Sequence, residues 1–301
     1  MHELRDLAGS WQVALRAARK SPQTLRAYGA GVDAYLDWCE ARGGDPLRRA
    51  TLSAWVAALM DGGNSPSTAR VRQLAVRRFA AWLVEEEELT EDPFPGVKAP
   101  KLDAPVVEPL TEDELRALLK ACTPPAGADR TQTLRYRRDE AILRLMLEAG
   151  LRAGEVVALE VADVDLAAGT AVVRRGKGGK GRMVPFGPQA ARALDRYMRL
   201  RRGHRLAGSP ALWVGDRGKG FTYDALHKTL KQRAETAGVA GFHPHRLRHT
   251  AAHRWLAAGG SESGLMAVAG WTRPDMLMRY TKAQASARAA DEAKRLNLGE
   301  L

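Results

Sequence analysis

The chain has 301 residues, of which 45% are hydrophobic, enough for the cores of two ordinary domains and too many for a disordered chain. Lys and Arg outnumber Asp and Glu by 47 to 35, a formal charge of +12, which favours a polyanionic partner and makes nucleic acid the first candidate. The only cysteines, Cys39 and Cys122, lie far apart, so neither a disulfide framework nor a thiolate zinc site is expected. Reduced cytosol fits best. Charge runs through the first twenty residues and no apolar run reaches the roughly eighteen residues that span a bilayer, so neither export nor a membrane is expected.

Helices lead in chain order. The first runs from about Glu3 to Ala18, and "SPQTLRAYGAGVDAYLDWCEARG" begins with Ser-Pro and stops at Gly, the usual asymmetry of a helix. A short helix near Thr51–Met60 and the helix "SPSTARVRQLAVRRFAAWLVEEEE" follow. In the latter, Val71, Leu74, Ala75, Phe79 and Trp82 form the expected buried stripe. Arg70, Arg72, Arg77 and Arg78 flank it as candidate phosphate contacts, although such a flank is often only solvated.

Residues 91–110 then carry five prolines, each of which removes a backbone donor and biases its predecessor away from helix. The chain is therefore divided into an all-helical domain 1–92, an extended Pro-rich linker 93–109 and a second domain 110–301.

The second domain opens with a helix at Thr111, whose spacing to Glu114 is that of a capping box. The Pro/Gly stretch "TPPAGADRTQ" reads as a mobile loop before a helix from about Arg135 to Ala149. A third helix begins at once in "GLRAGEVVALEVADVDL". The period then changes: "TAVVRR" and "RMVPF", joined by "GKGGKG", read as a β-hairpin with Lys177 and Lys180 on a glycine-rich tip. That tip is not a nucleotide-binding loop, because no Ser or Thr follows the Gly-Lys pair and no helix follows the glycines. Helices return over Pro188–Gly203, Thr222–Ala237, His245–Ala258, Glu262–Ala269 and from Arg273 onward, with a short strand near "ALWVG". The expected class is mainly α with a small antiparallel sheet in the second domain.

"GFHPHRLRHTAAHRW" holds His243, His245, His249 and His253 with Arg246, Arg248 and Arg254. The fourfold spacing of three histidines suits a metal, but the fixed guanidinium charge opposes a cation. Pro244 suits the first position of a helix, which places His245 and Arg248 on one face beside free backbone N–H groups, where a phosphate fits. His249 and His253 read as packing or surface groups.

"AGLRAGEVVAL", "RRGKGGKGRMVP", "HPHRLRHT" and "AGWTRPDMLMRYT", in this order and with Tyr280 nine residues after Trp271, resemble the signature boxes of the tyrosine recombinases, the phage integrase family. The first domain resembles that family's core-binding domain and the second its catalytic domain, with a C-terminal tail helix that docks on a neighbour. The resemblance implies that Arg152 and Arg248 clamp a scissile phosphate, that Lys177 protonates the departing 5′ hydroxyl, and that His245 serves as proton acceptor or phosphate donor. Tyr280 would attack phosphorus to form a 3′-phosphotyrosyl link, and Glu155 would support the site. Trp271 stands where most members have a second histidine; its indole N–H could donate to phosphate but not accept a proton.

The implied function is site-specific recombination: cleavage and rejoining of double-stranded DNA, independent of metal, cofactor and ATP. The implied assembly is a C-shaped clamp on DNA and a tetramer of protomers, with room for an accessory DNA-binding or directionality protein. The nucleoid would be its place in the cell. Two readings compete: a type IB topoisomerase-like enzyme, and a DNA-binding module or metal-dependent hydrolase with a similar basic helix.

Overall fold

Two helices of the first half start with the same four-residue device, Ser-Pro-x-Thr. In each the serine Oγ accepts the threonine backbone N–H, at 3.1 Å for Ser21 and Thr24 and 3.2 Å for Ser65 and Thr68, while proline fills a position that needs no donor. The computed structural model describes residues 2–102, 107–174, 181–215, 218–274 and 277. It divides into two compact units, Met1–Pro105 and Val106–Leu301.

The first unit contains α1 (His2–Ala17), α2 (Pro22–Arg42), α3 (Arg49–Asp61) and α4 (Pro66–Glu85). Helix α4 is wedged between two apolar clusters. Ala75, Phe79 and Leu83 meet Trp11, Val32 and Leu36, while Ala69, Val76 and Ala80 meet Trp55, Leu59 and Phe94. Gly31 makes the close approach of α2 possible, since a Cβ there would lie 2.8 Å from the Ala75 Cβ. Serving two clusters rotates the buried arc of α4 away from the expected stripe. Val71 and Leu74 are 42% and 41% exposed and share the outer face with Arg70 and Arg78, correcting the expectation that they are core. The Pro-rich segment begins packed on this unit: Phe94 and Val97 are buried, and the Lys98 carbonyl accepts from Gln73 at 3.1 Å.

The second unit contains α5 (Glu112–Lys120), α6 (Arg130–Ala149), α7 (Ala153–Val157), β1 (Val164–Asp165), β2 (Thr170–Val173), β3 (Arg182–Pro185), α8 (Pro188–Arg201), α9 (Tyr223–Thr236), α10 (Pro244–Ala257) and α11 (Glu262–Ala269). Helix α6 starts five residues earlier than expected, inside the stretch read as a mobile loop. Asp129 and Gln132 close a reciprocal capping box there at 2.7 and 3.2 Å, and that pair was missed in the sequence. The helix is the hub of the unit, burying Ile142, Leu145 and Met146 together with Asp139, which is held by Arg138 and Arg233.

Helix α7 is only five residues long. Beyond it the Leu159 carbonyl accepts from Leu212 N–H and the Pro210 carbonyl from Val161 N–H, both at 2.8 Å, so tertiary pairing ends the helix. The same pairing replaces the strand expected near "ALWVG" with isolated bridges, Glu160 to Ala211 and Val214 to Gly220. The sheet is antiparallel in the order β1-β2-β3, with Ala171 opposite Val184 and Val173 opposite Arg182. Its inner face buries Ala171, Val173 and Val184 in the core around α6. Among the described residues no helix is long and apolar enough to cross a membrane. The segment from Arg273 onward that was expected to be helical lies almost wholly outside them.

Candidate active site

Helix α11 ends at Gly270, which adopts the left-handed conformation (φ 63°, ψ 45°). The last carbonyls of a helix lack partners within it and carry its negative dipole end, so they attract cationic donors. Three arginines from three other elements converge there. Arg182 Nε donates to Val268 O at 2.7 Å, Arg248 Nη2 to Ala269 O at 2.7 Å, and Arg152 Nη2 to Gly270 O at 3.5 Å. The boxes "AGLRAGEVVAL", "RMVP" and "HPHRLRHT", separated along the chain, thus each place one guanidinium at consecutive carbonyls.

Arg152 is the N-cap of α7, and Glu155, three residues on, returns to it: Oε2 accepts the Arg152 backbone N–H and Oε1 accepts Nη1, both at 2.9 Å. Arg182 grips the same carboxylate through Nη1 at 2.9 Å and Nη2 at 2.8 Å. Burial works against a charge on Glu155, yet the Arg182 hydrogen bonds, the Arg152 backbone N–H and the two guanidinium charges outweigh it and hold the carboxyl below its usual range. The Arg152 side chain remains 26% exposed, whereas that of Arg182 is 12% exposed.

Arg248 projects from α10 and is only 2% exposed. Its Nη1 donates to Gly150 O at 2.6 Å, so the end of α6 and the end of α11 fix the guanidinium between them, 5.2 Å from the Trp271 ring centroid. Trp271 is itself buried with Ala252, Leu256, Leu265 and Ala269. The other two arginines of the stretch serve the scaffold: Arg246 donates to Ala240 O and Glu108 O, and Arg254 to Glu112 at 2.6 Å.

His245 is exposed in the first turn of α10, its ring 4.7 Å from His249 and 6.5 Å from His243. His249 is held neutral, its pKa pushed down to about 4 by burial first and then by His245, His243, Arg248 and His253. Among the described residues no group of three or more His, Cys, Asp or Glu side chains could hold a metal.

Lys177, Lys180 and Tyr280 lie outside the described residues, as does the tail beyond Tyr280. The strands that lead to and from the lysines, β2 and β3, are described, and β3 joins the site through Arg182. On α4, Arg70 and Arg78 are exposed; Arg72 and Arg77 are half-buried and reach Asn64 Oδ1 and Val97 O at 3.5 and 3.4 Å. Sequence reasoning missed Arg182. A signal was present, because strand alternation gives it the parity of the buried Val184 and makes it a charge on an inward position.

Residues 108–287 match the model of the phage integrase family, and residues 9–87 match the phage integrase N-terminal SAM-like domain. The chain belongs to the phage integrase family, the tyrosine recombinases. Tyrosine recombinase XerD of Ralstonia nicotianae is 36% identical over 245 residues, covering 78% of this chain and 76% of its own. Tyrosine recombinase XerC of Chromohalobacter salexigens is 35% identical over 268 residues, covering 87% and 86%. The fold is that of the Tn1549 transposon integrase solved with circular intermediate DNA (TM-score 0.71, 16% identity, 92% of this chain and 94% of that one). It is also that of a lambda integrase dimer bound to a COC' core site (TM-score 0.69, 16% identity, 93% and 94%). This recombinase is an enzyme of DNA strand cleavage and rejoining in site-specific recombination, and the topoisomerase-like alternative is not favoured.

Proposed function

We infer that the arginines gathered at the end of α11 are the phosphate-binding centre of this recombinase. Arg152 and Arg248 bind the non-bridging oxygens of the scissile phosphate. A guanidinium stays charged at any working pH and its fork matches two phosphate oxygens. The observation that carries the reading is the placement of both arginines on adjacent carbonyls, Gly270 O and Ala269 O, with Glu155 fixing Arg152. Tyr280 Oη attacks phosphorus, the P–O5′ bond breaks, and Lys177 delivers the proton to O5′. His245, exposed at the start of α10, accepts the tyrosine proton and, once protonated, donates to the phosphate, and Trp271 backs Arg248 with its ring and offers its indole N–H to a phosphate oxygen. The 3′-phosphotyrosyl link conserves the bond energy, so a 5′ hydroxyl reseals the strand without metal or ATP.

The substrate is double-stranded DNA, in keeping with the net charge of +12 and with the integrases of like fold solved on DNA. The domain 1–92 binds it as the core-binding domain, tied by the segment 93–109 to the catalytic domain 110–301. Arg70, Arg72, Arg77, Arg78 and Lys180 contact its backbone, Arg70 and Arg78 from the exposed face of α4. Strand exchange between two duplexes calls for four protomers, joined by the tail after Tyr280, with accessory proteins setting direction.

The test is a duplex selected by the protein from a random-sequence pool, nicked near the scissile phosphate and incubated in EDTA. A covalent adduct on a denaturing gel is expected. It disappears in Tyr280→Phe and falls about 100-fold or more in Arg152→Ala or Arg248→Ala. An adduct that needs added metal, or that survives Tyr280→Phe, overturns the reading.

A further inference from the structure

Glu155 lies between two guanidiniums of different standing. Arg152, its side chain 26% exposed, uses Nη1 on the carboxylate and leaves Nη2 on a long 3.5 Å contact to Gly270 O, whereas every described hydrogen bond of the less exposed Arg182 is short: Nε to Val268 O, Nη1 and Nη2 to Glu155. Both carboxylate oxygens are thereby shared. Oε1 receives Arg152 Nη1 and Arg182 Nη1; Oε2 receives Arg152 N and Arg182 Nη2.

Two consequences follow from that sharing. The first is geometric. Arg152 reaches both oxygens, one through its backbone N–H and one through its side chain, but only the planar fork of Arg182 grips them side by side, and its third bond, to Val268 O, ties the carboxylate to the same helix end that receives Arg248. The second is electrostatic. With only Arg152 beside it, Glu155 would neutralise the guanidinium meant for the anion. Arg182 supplies the counter-charge instead, and Arg152 keeps its positive charge for an anion.

We propose that Arg182 is a positioning residue for the cleavage reaction: it orients and neutralises Glu155, and so holds Arg152 aimed and charged toward the scissile phosphate. This rests on the reading that Arg152 binds that phosphate. Nothing in the chemistry requires Arg182 to touch DNA.

The experiment measures the single-turnover rate constant of adduct formation on the nicked duplex at saturating protein, alongside affinity for an unnicked duplex and the melting temperature. Arg182→Lys keeps the charge but cannot be bidentate while also reaching Val268 O; it is expected to slow cleavage about 10-fold, and Arg182→Met about 100-fold, with affinity changed less than about 3-fold. A purely structural role lowers the melting temperature and the fraction of active molecules but leaves the rate constant of those that remain unchanged, and that result overturns the proposal. The double variant Arg152→Ala/Arg182→Met is expected to be no slower than Arg152→Ala alone, because Arg182 acts through Arg152. A further 100-fold fall would place Arg182 on a separate path. A duplex with a 5′-bridging sulfur, whose leaving group needs no protonation, should leave the Arg182→Met defect in place; restoration would move the role to the hairpin acid and sink the proposal. If Arg152→Ala itself cleaves normally, the underlying reading fails, an outcome distinct from normal cleavage by the Arg182 variants alone.

Discussion

Gly270 is the joint on which the three arginines depend, and Gly270→Ala tests that dependence. The residue has φ 63°, where a side chain costs about 1–2 kcal/mol. A Cβ built there would lie 3.0 Å from Arg182 Cζ and Nη1 and 3.1 Å from Nε, so the guanidinium must retreat by a few tenths of an ångström from a site where it makes a 2.7 Å bond to Val268 O. The backbone cost alone corresponds to a fall in melting temperature of about 2–8 °C for a domain of this size. Cleavage should fall further than stability, by about 10-fold in the single-turnover rate constant, because Arg182, Arg248 and Arg152 all take their bearings from carbonyls 268 to 270. Gly270→Asn separates the two effects. Asparagine tolerates the left-handed conformation, so it should recover part of the lost melting temperature while keeping the contact with Arg182 and the slower cleavage. The reasoning is refuted if Gly270→Ala melts within 1 °C of the parent, or if both variants cleave at the parental rate.

Acid should loosen α10. The pKa of His249 is about 4 in the folded protein against an ordinary 6.5, so the unfolded chain binds more protons between those values; stability present above pH 6.5 is lost as the pH falls toward 4. For this half-buried ring the loss is about 1–2 kcal/mol, and His249→Gln should flatten that part of the melting temperature against pH; an unchanged profile would show that the ring is not the source. Asp139→Asn removes the charge that Arg138 and Arg233 share through four bonds of 2.7–3.0 Å, leaving two buried guanidiniums uncompensated, and should cost about 3–5 kcal/mol in urea unfolding; a loss below about 1 kcal/mol would contradict it. Arg70→Ala and Arg78→Ala should each lower the slope of log binding constant against log salt by about 0.9 if they meet DNA phosphates, and an unchanged slope would assign the exposed face of α4 to solvent.

What could be read in the sequence was what is decided locally. Ser21, Ser65, Thr111 and Gly43 announced helix ends, because caps are satisfied within a few residues of the chain. The hairpin was visible in the change of period from 3.6 to 2. Errors arose where a distant partner decides. Val71 and Leu74 match the helical period but face outward, because α4 answers to two clusters and its buried arc turns accordingly. The helix expected to begin in "GLRAGEVVALEVADVDL" stops as early as Val157 because residues 210–212 claim the next backbone groups. In the histidine-rich stretch, Arg246, Arg248 and Arg254 look alike on paper. They are sorted only by what each meets: Ala240 O and Glu108 O, the ends of α6 and α11, and Glu112.

The charge at the end of α11 bears on why such a cluster is tolerated and what it favours. Arg152, Arg182 and Arg248 against Glu155 leave a surplus of two positive charges, next to the negative end of a helix whose carbonyls take a donor from each arginine. The carbonyls offset part of the mutual repulsion, but they are dipoles and neutralise none of the net charge. A phosphodiester brings one negative charge to that field, and a phosphorane-like transition state brings nearly two. If the scissile phosphate sits there as proposed, that field binds the transition state more tightly than the ground state, the only kind of binding that accelerates a chemical step. A neutral side chain in place of Arg182 would cut that surplus from two charges to one, besides releasing the Glu155 carboxylate that holds Arg152. On the proposed reading, reactivity at this centre is accordingly a property of the whole charge set and not of Arg152 and Arg248 alone.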